Sequence, residues 1–374
     1  MTAAGVVRRA VTSRPEVVAS VRGRDVPELR GVPRVTVVIP CFNYARYLPA
    51  AVASALDQPG VAVDVVVVDD ASTDDSLAVA RALAADDPRV TVVAHAANAG
   101  PVATFNDGLA QVTGDYLIRL DADDLLTPGS VQRAVALAEA FPTVGIVYGR
   151  PLHFHGDHPP AARTRVRSWT VWSGASWLEQ RCHLGVNCIT SPEVLMRTSV
   201  VREVGGQRDL AHTHDMEMWF RLARASDVGY VTGPDQAWHR EHPRSRSATD
   251  VDVLTDLDER ADAFTTLFTD GLGDPDEDAR LLGIARRALA EEAVARVCQA
   301  ITRGWGGNAT TDAYLAFARR QVADLDGLRH GPRLRRCLAV GPARARFVPG
   351  LLLGALRYRA RTELRNRTWR RTGL

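Results

Sequence analysis

The chain has 374 residues and a mass of 40.6 kDa, room for two or three domains and one sizeable core at about 100–200 residues per domain. Its 46% hydrophobic and 24% charged residues exclude a disordered or fibrous chain. The net charge of +2 gives no nucleic-acid footprint, so no nucleic-acid partner is expected.

Residues 1–33 show no clear periodicity and end in Gly31-Val32-Pro33, which reads as a loose leader. From Arg34 short β-branched runs begin: Val35–Ile39, Val61–Val68, Val90–Val93, Tyr116–Leu120 and Val144–Tyr148. Ala-rich segments of helical spacing lie between them at about 46–57, 74–86, 101–113 and 128–140, with Ser72-Thr73-Asp74 as an N-cap signal. Strands alternating with helices predict an α/β fold, a doubly wound and mostly parallel sheet flanked by helices. Residues 150–250 are less periodic and richer in Trp, His and Arg, which suits a mixed region against the sheet's edge. From about 251 the pattern is helical, broken near Gly271–Pro275 and Gly304–Gly307. Between Arg329 and Leu374 stand 13 Arg and one acid, Glu363, a local +12 that leaves −10 for the rest. All basic residues are Arg.

The five cysteines (Cys41, Cys182, Cys188, Cys298, Cys337) are scattered without a C-x-x-C pair, so a disulfide framework and a structural zinc site are both unexpected. No signal peptide and no apolar run of about 18 residues is legible. The expectation is a cytoplasmic protein, with peripheral attachment to the cytoplasmic face of the membrane as the variant.

Ligands of doubly wound sheets bind beyond the carboxyl ends of the strands. That rule gathers Pro40-Cys41-Phe42-Asn43-Tyr44, Asp69-Asp70-Ala71-Ser72 and Asp121-Ala122-Asp123-Asp124 on one rim. No Gly-rich phosphate loop stands there. Carboxylates repel a diphosphate unless a divalent cation bridges them, and hard oxygen ligands suit Mg2+ or Mn2+. Asp69 or Asp70 alone reads as a helix cap, as does Asp124 before Leu125–Pro128. Asp121 and Asp123, at i and i+2 after an apolar strand, read as a metal site.

In that order and spacing, Val35–Asn43, Val67–Asp74 and Gly114–Asp124 resemble the family 2 glycosyltransferases of GT-A fold, over about Arg34–Asp250. The resemblance implies an inverting enzyme that moves sugar from a nucleoside diphosphate donor, a UDP-sugar first among the choices, with Mn2+ or Mg2+. Phe42 then lies near the base and Asp69 hydrogen-bonds it, with Pro40 and Asn43 in the same donor loop. Asp121 sits by the ribose and diphosphate, and Asp123 ligates the metal. Asp215, in His214-Asp215 before a Trp/Leu/Arg helix, matches the family's base; His214 replaces the usual acid or Gly, and its role is open. Trp238–Ser247 resembles the segment that closes over the donor, with Arg240 toward the diphosphate and His242 toward metal or phosphate. The family's Arg in the helix after the third strand is missing at Ala103–Asn106.

His153, His155 and His158 read as solvated residues of a Pro/Gly loop or as acceptor-side residues, and Trp169, Trp172 and Trp177 as packing the core or its lid rather than stacking on sugar. Asn187–Pro192 corresponds to the acceptor-side strand, with Cys188 buried. The expected organisation is a leader at 1–33, a nucleotide-sugar half at 34–125, an acceptor half at 126–250 and a helical, Arg-rich region at 251–374. The acceptor is a glycan, a lipid-linked sugar or a small molecule, in cell-envelope polysaccharide, glycolipid or secondary-metabolite synthesis. For the tail, an anionic membrane surface stands slightly ahead of a solvated basic face or a partner protein. The rival readings are a catalytically silent interaction protein of the same fold and, more weakly, a sugar nucleotidyltransferase.

Overall fold

The computed structural model of the chain describes residues 14–22, 29, 31–242 and 252–374. Its centre is one ten-stranded sheet in the order β1-β8-β10-β7-β9-β5-β2-β3-β4, with β6 pairing β10. The strands are β1 (Val17–Arg22), β2 (Arg34–Cys41), β3 (Ala62–Asp69), β4 (Val90–Ala94), β5 (Tyr116–Arg119), β6 (Leu125–Leu126), β7 (Val144–His155), β8 (Ser168–Trp172), β9 (Leu195–Arg197) and β10 (Asp227–Glu241). β5, β2, β3 and β4 are mutually parallel; β9 runs against β5 and β7, and β8 runs against β10 and β1. The sheet is therefore mixed, with most strands in one direction, and helices flank it. This is the α/β fold expected.

The two faces of the sheet separate by simple alternation. Val35, Val37 and Ile39 of β2 join Val63, Val65 and Val67 of β3 in one apolar cluster. Val38, Val66 and Val68 point the other way into a second cluster. Both sets are buried, which is why these strands read as unbroken β-branched runs. The helices between them are α1 (Leu48–Leu56), α2 (Ser76–Asp86), α3 (Gly100–Leu109) and α4 (Ser130–Ala140).

Three expectations are corrected here. The leader was expected to be loose, yet Val17–Arg22 is the edge strand β1, antiparallel to β8. Its exposed valines give a weak burial pattern, so no periodicity betrays it. The 150–250 region does not lie against the sheet's edge: β7, β8 and β10 extend the sheet itself. His153 and His155 stand at the end of β7, not in a loop; their Nδ1 atoms meet Glu241 Oε1 at 2.8 Å and the Glu241 carbonyl at 3.1 Å.

The chain continues through α5 (Gly174–Leu184), α6 (Thr198–Val204) and α7 (His214–Ala225), then α8 (Val253–Phe268), α9 (Pro275–Thr302), α10 (Ala309–Gln321), α11 (Gly331–Val340) and α12 (Pro349–Thr372). α8 joins the body through Phe264, stacked 5.3 Å from Phe220 of α7. Trp172 and Trp177 are buried around Tyr148, and Trp169 is buried on the other face, as core residues should be. Among the described residues, no helix is long and apolar enough to cross a membrane.

Candidate active site

β2, β3 and β5 all end on one rim, and β10 crosses beside it because Ala237 and Trp238 pair with Leu126 and Leu125. That crossing delivers His239, Arg240 and His242 to the acidic loop 121–124.

Asp124 is fully buried and is not a helix cap. Its two oxygens take the Arg240 N–H (2.7 Å) and His239 Nδ1 (3.0 Å), while α4 begins after Gly129. Burial pushes the Asp124 carboxyl up. Burial pulls His239 down, but its bond to Asp124 and the charges of Asp124, Asp121 and Asp123 hold it up to about 9. The bond to Asp124 thus favours the charged form of His239.

Asp123 is also buried. Desolvation first, then Asp124 and Asp121, raise it to about 7, against the lowering bond from His242 Nε2 at 2.9 Å. His242 stacks on Tyr47 with centroids 5.5 Å apart. The Arg240 guanidinium is buried between Tyr47 (4.7 Å) and Phe154 (4.5 Å). Its Nε donates to the Asp123 carbonyl at 2.9 Å and its Nη1 to the Gly156 carbonyl. The structure thus puts Arg240 beneath the acidic loop, holding its backbone, rather than in the open toward a diphosphate.

Arg119, at the end of β5, was missed by the sequence reading. It is buried, its Nη2 lies 2.8 Å from Asp121 Oδ1, and its Nε has no hydrogen-bond partner. Burial works against its charge, and Asp121, then Asp215, hold the guanidinium above its usual range. This one cation links the acidic loop to Asp215. The available signal was a charge inside an apolar strand, Tyr116-Leu117-Ile118-Arg119-Leu120.

Asp215 occupies the first turn of α7. Its Oδ1 accepts the Met216 N–H at 2.6 Å and its Oδ2 accepts the Ser191 hydroxyl at 2.8 Å. Ser191 belongs to a turn held by a capping box in which the Glu193 carboxyl accepts the Thr190 N–H at 2.7 Å. Burial pushes Glu193 well above the usual carboxylate range. His214 is buried and its Nδ1 lies 3.3 Å from the Leu210 carbonyl.

The other rim loops face the same region. Pro40 is half-buried and Phe42, 42% exposed, is a solvent-facing ring. Asn43 (φ 61°) and Ala71 (φ 56°) adopt the left-handed backbone rare outside glycine. The Asn43 side-chain Oδ1 accepts the Thr73 N–H at 2.8 Å while the Asn43 backbone N–H donates to Ser72 Oγ at 3.0 Å. Asn43 thus ties two rim loops together. Asp69 is 1% exposed; Oδ2 accepts the Ser72 N–H at 3.1 Å and Oδ1 has no partner. Asp70 is a cap, taking the Ala99 and Gly100 N–H groups at 2.7 and 3.0 Å. Tyr44 connects the two halves: burial and the charges of Asp123, Asp121 and Asp124 raise its phenol, and its ring lies 6.0 Å from His242. Pro243–Ser247, the rest of the closing segment, lie outside the described residues.

Among the described residues, no three His, Cys, Asp or Glu side chains converge into a ready metal cage. The donor types nevertheless fit a divalent cation that takes further ligands from outside the chain: Asp121 and Asp123 stand in one acidic loop, and His242 Nε2 lies 2.9 Å from Asp123 Oδ2. The raised Asp123 marks charge that a cation would answer.

A mixed sheet of this order, with acids at the strand ends and a carboxylate at a facing helix terminus, defines a GT-A-type protein. A family model described as glycosyl transferase family 2 matches residues 36–205, and over that span the chain is similar to the family. The succinoglycan biosynthesis protein ExoO of Rhizobium meliloti (strain 1021) is 40% identical over 114 residues, 30% of this chain and 32% of the relative. The chain thus spans about a third of that relative's length. S. aureus TarS 1-349, solved with UDP-GlcNAc, superimposes with a TM-score of 0.54 at 15% identity, covering 84% of this chain and 89% of TarS 1-349. The mannosyltransferase PcManGT of Pyrobaculum calidifontis, solved with GDP-Man and Mn2+, gives 0.51 at 20% identity over 90% of this chain and 87% of the neighbour.

Proposed function

We propose that the chain is an inverting glycosyltransferase of polysaccharide synthesis that takes sugar from a nucleoside diphosphate donor, a UDP-sugar first, and uses Mn2+ or Mg2+. The observation that carries the reading is Arg119: it joins the 121–124 acids to Asp215 in a single electrostatic cluster. Phe42 and the orphan Asp69 Oδ1 offer a ring face and an acceptor to a base, with Pro40 and Asn43 shaping the loop. Asp121, Asp123 and His242 would hold the cation, which when bound offsets charge gathering on the departing diphosphate. Asp215, fixed by Ser191, accepts the proton of the acceptor hydroxyl as its oxygen bonds to the anomeric carbon; the glycosidic electron pair leaves with the diphosphate. Arg240 acts as a positioning residue for the Asp123 backbone. Residues 34–125 would then serve the donor and 126–250 the acceptor. The Arg-rich tail, with Phe347, Leu353 and Leu356 exposed, suits an anionic surface on the cytoplasmic face of a membrane.

The test is a thermal-shift and calorimetric titration with UDP, GDP, TDP and CDP, each with and without Mn2+. One diphosphate should stabilise the protein by about 2.7 kcal/mol at 100 times its Kd, and EDTA should abolish the effect. Asp215→Asn should keep that binding while turnover falls about 10²–10⁴-fold. Absence of any nucleotide effect, or wild-type turnover in Asp215→Asn, refutes the reading.

A further inference from the structure

The acceptor side of the molecule contains a cavity of about 280 Å³ whose far wall is the chain's own C-terminal helix. Its lining includes Arg181 and Asn187, Thr190 from the turn that carries Ser191, and Arg365, Asn366 and Trp369 of α12. The helix is docked there by specific contacts. Trp369 Nε1 donates to the Cys188 carbonyl at 2.7 Å, and the Gly373 carbonyl accepts the Tyr148 hydroxyl at 2.5 Å. Gly373 has φ +75°, and a Cβ there would lie 2.4 Å from the Tyr230 ring. A basic, largely exposed helix is thus anchored at its end to form one wall of a polar cavity.

Two arginines, Arg181 and Arg365, line this cavity, with Leu374 beside them. Arg181 is 1% exposed, its guanidinium carbon sits 5.3 Å from the Trp177 ring centroid, and its Nε has no hydrogen-bond partner. Its Nη2 reaches Gln180 Oε1, and no ion pair to a carboxylate forms at either Arg181 or Arg365 among the described residues. A buried guanidinium without a counter-charge is costly unless an anion answers it. Thr190 lines the cavity and the next residue, Ser191, bonds Asp215, so the cavity wall adjoins the residue that holds the assigned base. The volume falls just below the range of about 300–1,000 Å³ common for drug-sized ligands, and suits something the size of a monosaccharide.

We infer that this cavity is an acceptor subsite for an anionic sugar, with Arg181 and Arg365 recognising its phosphate or carboxylate and α12 completing the wall. The inference rests on the assignment of Asp215 as base. It makes the basic tail part of substrate recognition.

The test uses the full chain and Trp369 fluorescence, with Trp369→Phe identifying the responding indole. Glucose 1-phosphate and glucuronic acid are titrated against neutral glucose, and UDP with Mn2+ is titrated separately. One of the two anionic sugars should bind in the millimolar range with a Trp369-dependent signal, and glucose should not; which one binds separates phosphate from carboxylate. Arg365→Glu, on an exposed stretch of helix, should weaken that binding about ten-fold or more and leave UDP binding within two-fold. Arg181→Gln should weaken it as well, but Arg365→Glu carries the decision because Arg181 is in the core. Binding of glucose as tightly as the anionic sugars, absence of binding by both anionic sugars at about 20 mM, or equal affinity in Arg365→Glu overturns the inference. Failure of every nucleoside diphosphate to bind would instead strike the donor reading above.

Discussion

Replacing Asp123 with Asn should make the metal-free protein more stable while abolishing its metal-dependent nucleotide binding. Asn keeps the shape and still accepts the bond from His242 Nε2, now 2.9 Å from the carboxylate. What it removes is a charge that burial, Asp124 and Asp121 all disfavour, raising the carboxyl from 3.8 to about 7. Between those two values the folded chain holds a proton that the unfolded chain has released, so stability falls as pH rises through that window. At about 1.4 kcal/mol per unit, the raised carboxyl costs up to about 4 kcal/mol above pH 7. In EDTA at pH 8, denaturant unfolding should therefore show the Asn variant ahead by about 2–4 kcal/mol, the gain shrinking toward pH 4. With Mn2+ and the preferred diphosphate the order should invert, because wild type gains binding free energy that the variant lacks. An Asn variant no more stable than wild type at pH 8 in EDTA would falsify the electrostatic argument, and one that retained Mn2+-dependent binding would remove Asp123 from the metal site.

Two further outcomes follow from the same geometry. His239 is raised from 6.5 to about 9 by Asp124, so its contribution is full below 6.5 and is lost as pH rises through about 9; His239→Gln should flatten that decline in a pH series of unfolding curves. Gly373→Ala places a Cβ against the Tyr230 ring at positive φ and should cost about 1–3 kcal/mol, freeing α12 for rapid proteolysis without changing UDP affinity.

The parallel half of the sheet was legible because both of its faces are buried: a strand such as Val35–Ile39 has no polar side to blur the signal. The acids of the rim were legible for a related reason, since they stand at or just after the ends of such runs. β1 was not legible, because a strand with one neighbour leaves its valines in water. Arg119 was passed over because its meaning depends on Asp121 and Asp215, the second of which lies 96 positions away in sequence. The role of Arg240 was read from its place in a motif, whereas its partners, Tyr47, Phe154 and the Gly156 carbonyl, come from three other segments. The docking of α12 depends on Cys188, Tyr148 and Tyr230, none of which has a sequence neighbour that points to the tail.

The electrostatics of the rim single out Asp123 without appeal to any relative. Asp121 has the Arg119 guanidinium at 2.8 Å. Asp124 has His239 Nδ1 at 3.0 Å and a backbone N–H at 2.7 Å. Asp123 receives a bond from His242, yet it is still pushed up to about 7, so this contact does not match the charge placed on it. Three acids within four residues of one loop carry an electrostatic cost, and Asp124 and Asp121 both raise the buried Asp123. Their joint presence makes physical sense if a cation outside the chain supplies charge that burial of Asp123 and Asp124 leaves unanswered. The buried Arg119 fits the same picture: its ion pair with Asp121 at 2.8 Å, with the Asp215 charge acting on it as well, keeps a fixed positive charge beside the acidic loop.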